Sequence, residues 1–446
     1  LNTRRVRSLH PFHPCPQSPP PVLFCRVSMH PVARLFPSFR TTSSSLIFIL
    51  VLAFLGVQGV SSTPAAVRRP LPAQVPRASV VIVDALWVLL GNAPVPPTFA
   101  AQSMQAACRA NNFTFIRVAG TAFWPSQLAN YQSNRTAYLA SVADLYVTAR
   151  GAGCQVLLSL FWNWYAVPDL VSEPLGDSMR NASSLTRAFM ERYAADVISQ
   201  ARLFPDAVAG WELGNEMNLL ADLDQNNGKE AIDPHMGTPT HRTRRDNFST
   251  NDMIAFESWL ANRVRDLAGA AGLPTMVSTG HAIPRVDAEH LRQSYHAASR
   301  DWSPDTKAQF VRNLIDTAAC CELASVHYYA GHGARWGISN PNSTEPLTVA
   351  FFAIEKDAHL RNRSQTLYVG EFGDPNPGPR AFSLSVLQLL STVPIRVATV
   401  WVWMFYQFSS TSMAPYSISP DPVDDNILQA MRAVNSLADG PVSGFG

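Results

Sequence analysis

The stretch Val208-Ala209-Gly210-Trp211-Glu212-Leu213-Gly214-Asn215-Glu216-Met217-Asn218-Leu219 decides how the rest of the chain is read. An apolar lead-in runs into Trp-Glu-Leu-Gly-Asn-Glu and then into a long polar segment. That pattern predicts a buried strand whose carboxyl end opens into a loop. A carboxylic acid at such a place is costly unless it has a partner or a use. Taken alone, it reads as a structural residue. A second copy of the arrangement lies downstream: Leu367-Tyr368-Val369-Gly370-Glu371-Phe372-Gly373 is again a short apolar strand ending in Glu and a Gly-rich turn.

Working outward from these two strands, strand-like and helix-like segments alternate. Residues 79–86 pair with a helix over 98–110, 113–119 with 135–151, 155–161 with 184–203, and 208–213 with 251–270. The later pairs are 275–279 with 304–317, 323–327 with 347–361, 368–371 with 380–390, and 396–403 with 423–437. Eight strand-then-helix units predict an α/β fold, a single (β/α)8 TIM barrel. Connections after strands are long, above all residues 217–249, and those before strands are short. That asymmetry places a site at the carboxyl ends of the strands. The loop carrying Asp222, Asp224, His235 and His241 reads as solvated, with a lining of the cleft as the alternative.

The formal net charge of +2 conceals an uneven distribution. Residues 1–62 hold six arginines and no acid, so the remainder has 35 − 6 = 29 basic against 33 acidic residues. A net −4 argues against a nucleic-acid partner. Residues 1–28 read as upstream sequence or a disordered leader. Residues 29–62, with Arg34, Arg40 and the apolar run Leu46–Val60, read as a secretory signal peptide, with an uncut anchor as the alternative. Residues 63–78 read as a Pro-rich linker, and 79–440 as one catalytic barrel. Export agrees with six Asn-X-Ser/Thr sequons (Asn112, Asn134, Asn181, Asn247, Asn342, Asn362) and with Cys108, Cys154, Cys320 and Cys321, which read as disulfides, with three possible pairings, or as buried thiols. None of these cysteines has zinc-type spacing, and no Gly-X-Ser-X-Gly elbow occurs.

Two carboxylates at the ends of separate strands are what acid/base and nucleophilic chemistry on a glycosidic bond requires. The Trp-Glu-Leu-Gly-Asn-Glu and Val-Gly-Glu-Phe-Gly motifs resemble the catalytic strands of clan A glycoside hydrolases, most closely glycoside hydrolase family 5, the cellulase and mannanase family. The resemblance spans about residues 79–438. It implies Glu216 on strand four as acid/base and Glu371 on strand seven as nucleophile. It implies further that Arg117 on strand two bonds the nucleophile, that Asn215 contacts the sugar 2-hydroxyl, and that His327 and Tyr329 act from strand six. The family's sugar-platform Trp falls on Trp401 or Trp403. Strand alternation puts Arg117 on an inward face with Phe113 and Phe115, with Glu371 or Glu212 as its partner. The family's strand-three His is missing from Leu160-Phe161-Trp162-Asn163-Trp164, where Trp162 and Trp164 are candidates to shape a subsite.

The expectation is therefore a secreted, monomeric, retaining hydrolase of β-linked poly- or oligosaccharides of β-mannan or β-glucan type. It needs no metal or cofactor, and no stable membrane partner. Glu216 would be protonated through an apolar pocket and nearby Glu371. The alternatives are a clan-related transglycosylase, a hydrolase of glycolipids or small glycosides, or a catalytically silent carbohydrate-binding barrel.

Overall fold

Eight strands, each parallel to the next, close into one ring. They are β1 (Arg77–Ile82), β2 (Phe115–Ala119), β3 (Gln155–Phe161), β4 (Val208–Gly214), β5 (Val277–Ser278), β6 (Leu323–Tyr329), β7 (Thr366–Gly373) and β8 (Val397–Val400), with β8 paired back onto β1. The computed structural model describes residues 77–93, 95–121, 127–225, 242–375, 380–404 and 414–438. The leader, the signal peptide and nearly all of the linker, together with His235 and His241, lie outside them.

Helices follow the strands: α1 (Thr98–Gln105), α2 (Arg135–Ala152), α3 (Leu185–Ala201), α4 (Thr250–Ala270), α5 (Lys307–Ala318), α6 (Glu345–Leu360), α7 (Ala381–Thr392) and α8 (Asp425–Ala438). Several begin at side-chain caps that satisfy otherwise orphaned amides. Asn134 caps α2 and Ser184 caps α3, while Ser249 with Asp252 and Thr306 with Gln309 form capping boxes on α4 and α5. No described helix is long and apolar enough to cross a membrane.

Period-two alternation sorts the strand residues. Ile116, Val118, Leu158, Trp211 and Leu213 point outward into the core shared with the helices. Inside the ring the floor is apolar, with Leu157, Leu323 and Tyr368 packed together. Above it lies a buried polar layer that includes Arg117, Ser159, Glu212, Ser278 and Ser325.

Four expectations need correcting. β1 stops at Ile82 and the chain turns into a short helix, Ala85–Leu89, where a strand through Leu86 was expected. β5 holds two residues rather than five. β8 ends at Val400, so alternation does not extend through Trp403. Phe113 precedes β2, which begins at Phe115, and packs in the outer core edge-to-face with Trp403 at 6.2 Å.

One disulfide, Cys108–Cys154, ties the π-helical segment after α1 to the start of β3. Cys320 and Cys321 are unbonded.

Candidate active site

β4 brings Glu212 and Glu216 to the carboxyl end of the barrel by different routes. Glu212 is an inward strand residue with no exposure. Glu216 lies two residues beyond the strand in the left-handed region (φ 54°), uncommon for a residue with a side chain, and its amide donates to the Gly280 carbonyl at 2.8 Å. Gly280 (φ +71°) makes that approach possible, because a Cβ there would lie 1.8 Å from the Gly214 carbonyl oxygen.

Glu371 reaches the interior through a β-bulge. Val326 of β6 pairs with Val369, but the next residue, His327, pairs with Glu371. Gly370 is the extra residue, and the shift brings Glu371 to the inner face. Glycine is needed there. An added Cβ would lie 2.5 Å from Ser325 Oγ and 2.9 Å from His327 Nε2.

Arg117 joins the three acids' surroundings into one network. Its Nε and Nη2 donate to Glu212 Oε1 at 2.9 and 2.6 Å, and Nη1 donates to Glu371 Oε1 at 2.5 Å. Nη2 also donates to Asn215 Oδ1 at 2.9 Å, and Ser278 Oγ donates to Glu212 Oε2 at 3.2 Å. The two acids expected as alternative partners of Arg117 are both engaged. Burial alone would lower the pKa of this guanidinium, but Glu212 and Glu371 more than offset that and hold it above its usual value.

His327 Nδ1 lies 2.9 Å from Glu216 Oε1 and 3.4 Å from Glu371 Oε2, bridging the two carboxylates. Burial pushes the His327 pKa down to about 4, so the ring is neutral near pH 7. The Tyr329 hydroxyl donates to Glu371 Oε2. Burial first, and then Glu371, raises its pKa far above the usual phenol value, keeping it a proton donor.

Glu216 and Glu371 present carboxylate oxygens within 4.8 Å of each other. Burial raises the pKa of Glu216, against the pull of Arg117 and His332. Burial also raises Glu371, against His327, Arg117 and the Tyr329 hydrogen bond, while Glu216 pushes it further up. Burial is the larger cause for both acids, and the repulsion between them acts on the pair. Glu371 receives direct hydrogen bonds from Arg117 and Tyr329. Glu216, with a side chain 30% exposed, receives neither. A proton shared by the pair favours Glu216.

Aromatic rings wall the site. Trp162 stacks on Trp401 at 5.7 Å with planes 20° apart, and the Arg117 guanidinium carbon lies 4.3 Å from the Trp162 ring centre. Trp403 turns away: it is fully buried and its indole donates to the Ser103 carbonyl at 3.1 Å. Trp164 likewise packs into the core edge-to-face against Phe248. In the β4 loop Asp222 is 1% exposed, not solvated, and accepts from the Thr250 amide at 2.9 Å and its hydroxyl at 2.6 Å.

The sequence reading passed over His332 and Tyr416. Both rings meet Tyr329 edge-on, at 5.8 and 5.5 Å. His332 had a signal, since it follows His327-Tyr328-Tyr329 through a Gly at a strand end.

Glu216, His327 and Glu371 have the atom types of a metal site, but both oxygens of Glu371 are taken by Arg117 and Tyr329. A guanidinium 2.5 Å away opposes a second cation. The arrangement suits proton transfer and attack at one centre between two carboxylates.

No family model matches the chain, and no curated protein matches it in sequence. Solved structures share its fold. The endo-1,4-beta-mannanase from Rhizomucor miehei superposes with a TM-score of 0.52 at 10% identity, covering 81% of this chain and 95% of the other. The endo-beta-1,4-mannanase from Thermotoga petrophila gives 0.53 at 13% identity, covering 84% and 78%. A GH5_18 protein from Streptomyces cattleya in complex with GlcNAc gives 0.52 at 15% identity, covering 83% and 82%.

Proposed function

We propose that this chain is a retaining β-glycoside hydrolase of the family 5 type. One observation carries the reading: Glu216 and Glu371 stand at the ends of β4 and β7 with oxygens within 4.8 Å. Retaining enzymes hold their carboxyl groups about 5–5.5 Å apart, while inverting enzymes leave about 6.5–9.5 Å for a water.

In the first step Glu371 attacks the anomeric carbon as Glu216 gives its proton to the glycosidic oxygen, which leaves as an alcohol. Glu371 is then esterified to the sugar. In the second step Glu216, now ionised, takes a proton from water. The hydroxide formed attacks the anomeric carbon, and Glu371 is released with the configuration retained. Arg117 and Tyr329 hold the Glu371 anion in position. Asn215, whose Oδ1 is tied to Arg117, has its amide nitrogen available for the sugar 2-hydroxyl. Trp401 and Trp162 form the wall against which the ring is placed.

The substrate class is a β-linked glycan of mannan type, supported by the mannanases that share the fold. We place the protein outside the cell, a reading supported by the Cys108–Cys154 disulfide. The test is release of reducing ends from soluble β-mannans, β-glucans and xylans, with NMR of the first-formed anomer and Glu371→Gln as control. Turnover of one polymer with retention, lost in the control, is expected. Inversion, or activity that survives Glu371→Gln, sinks the assignment.

A further inference from the structure

On the same face of the barrel, the loops after β5 and β6 enclose a cavity of about 200 Å³ that the catalytic reading does not use. Arg285, Pro304, Asp305, Phe310, Arg335 and Trp336 are among its lining residues. Arg335 is only 8% exposed, yet its Nε has no hydrogen-bond partner, and among the described residues its side chain makes no hydrogen bond or ion pair. Its guanidinium carbon stands 5.7 Å from the Phe310 ring centre. Burial lowers its pKa, and Tyr328, Asp305 and Asp287 do not compensate.

Two acids lie nearby, neither of them in an ion pair with Arg335 among the described residues. Asp305 accepts from the Glu289 and His290 amides at 2.8 and 3.0 Å, with the His290 ring also at 3.0 Å. Asp287 lies 3.6 Å from Arg285. Arg285 gives its terminal nitrogens to the Leu219 and Ala221 carbonyls. Arg335 is thus a buried cation with no ion pair among the described residues; Asp305 and Asp287 act on it only at longer range and leave its pKa lowered, so an anion in direct contact would complete it. The backbone is also held at a cost here: Trp336 has φ 52°, an outlier for a bulky residue.

We propose that this cavity binds a small oxyanion (carboxylate, sulfate or phosphate), with Arg335 as the bidentate donor and the Trp336 and Phe310 rings as walls. The anion is either free or carried on a glycan. His332 lies within electrostatic reach of both Arg335 and Glu216: burial lowers its pKa, Arg335 lowers it further and Glu216 opposes the fall. The glycan-borne case rests on the glycosidase reading; the site itself does not.

The experiment is calorimetric titration with sodium sulfate against sodium chloride at matched ionic strength, on the full chain and on Arg335→Gln. Saturable sulfate binding that weakens at least about tenfold in the variant is expected, the size of one charge-assisted hydrogen bond. General salting effects of sulfate act equally on both proteins and cancel. No saturable sulfate binding, or equal affinity in the variant, overturns the site. Where Arg335→Gln fails to fold, Arg335→Lys replaces it. An ammonium cannot present two parallel N–H groups, so the same weakening is expected and unchanged affinity overturns the site. A second arm titrates a glucuronate-bearing manno-oligosaccharide and its neutral counterpart into the Glu371→Gln protein. An Arg335-dependent preference for the acidic sugar assigns the anion to the glycan, and equal binding of the two assigns a free anion.

Discussion

Arg117 Nη1 donates to Glu371 Oε1 at 2.5 Å, with the two side chains 0% and 4% exposed. The same guanidinium also serves Glu212, likewise unexposed. Arg117→Met leaves two buried carboxylates without their cation, and removal of one partner of a buried pair typically costs about 3–5 kcal/mol. Denaturant unfolding is expected to show a loss of that order, and Arg117→Lys to recover part of it. An unchanged unfolding midpoint in Arg117→Met would contradict the network.

The two carboxylates predict separable kinetic defects. Glu216→Gln is expected to lower kcat about 10²–10⁴-fold on glycosides with poor leaving groups, the usual contribution of general acid–base catalysis. Glycosides whose leaving group needs no proton are expected to keep a first-turnover burst. Glu371→Gln is expected to lose both.

The pH profile follows from the directions of the shifts. In the proposed mechanism Glu371 must be ionised, so activity is expected to rise through its raised pKa. Glu216 must be protonated, so activity falls through its own, giving a bell whose limbs belong to the coupled pair. Glu216→Gln is expected to abolish the alkaline limb in its residual kcat/KM profile. A persisting limb would point to another acid.

His327 gives a stability prediction of definite sign. Its folded pKa is about 4 against an ordinary 6.5, so between those values the unfolded chain binds the extra proton and acid favours unfolding. The stability advantage of the wild type over His327→Asn should therefore shrink by about 3 kcal/mol from pH 7 to pH 4. Urea titrations at the two pH values measure it, and a constant difference refutes it.

Gly370→Ala tests the bulge. The new Cβ would meet Ser325 Oγ at 2.5 Å and His327 Nε2 at 2.9 Å, so His327 must move. Overpacking of this kind costs about 1–3 kcal/mol. Activity is expected to fall more than stability implies, and Ser325→Ala added to it to restore only part. Full activity in Gly370→Ala would show that His327 is not held by this contact.

Much of the barrel was legible because the strand–helix alternation is regular and each buried strand is nearly continuous in apolar residues. What stayed hidden was set by partners distant in sequence. Nothing local distinguishes Trp401 from Trp403; the difference is that β8 ends at Val400 and the second indole finds the Ser103 carbonyl. Glu371 illustrates the same limit. From Tyr368, strict alternation would send it outward, and only the pairing with β6 reveals the bulge that brings it in. Asp222 resembles a solvated loop residue until the amide of Thr250, 28 positions on, is found beside it.

The two-residue β5 leaves a seam in the ring. Only Trp211 and Glu212 on one side and Leu323 on the other are paired with it, so the cylinder is stitched there by fewer backbone hydrogen bonds than between β6 and β7. Side chains take over the fastening: Glu322 accepts from the Val277 amide at 3.0 Å and from Arg265 at 3.0 Å. Local opening begins where the ladder is thinnest, so amide protons flanking this seam should exchange first. Glu212 lies on the margin of this seam, so the thinnest part of the ladder borders the residue that anchors Arg117.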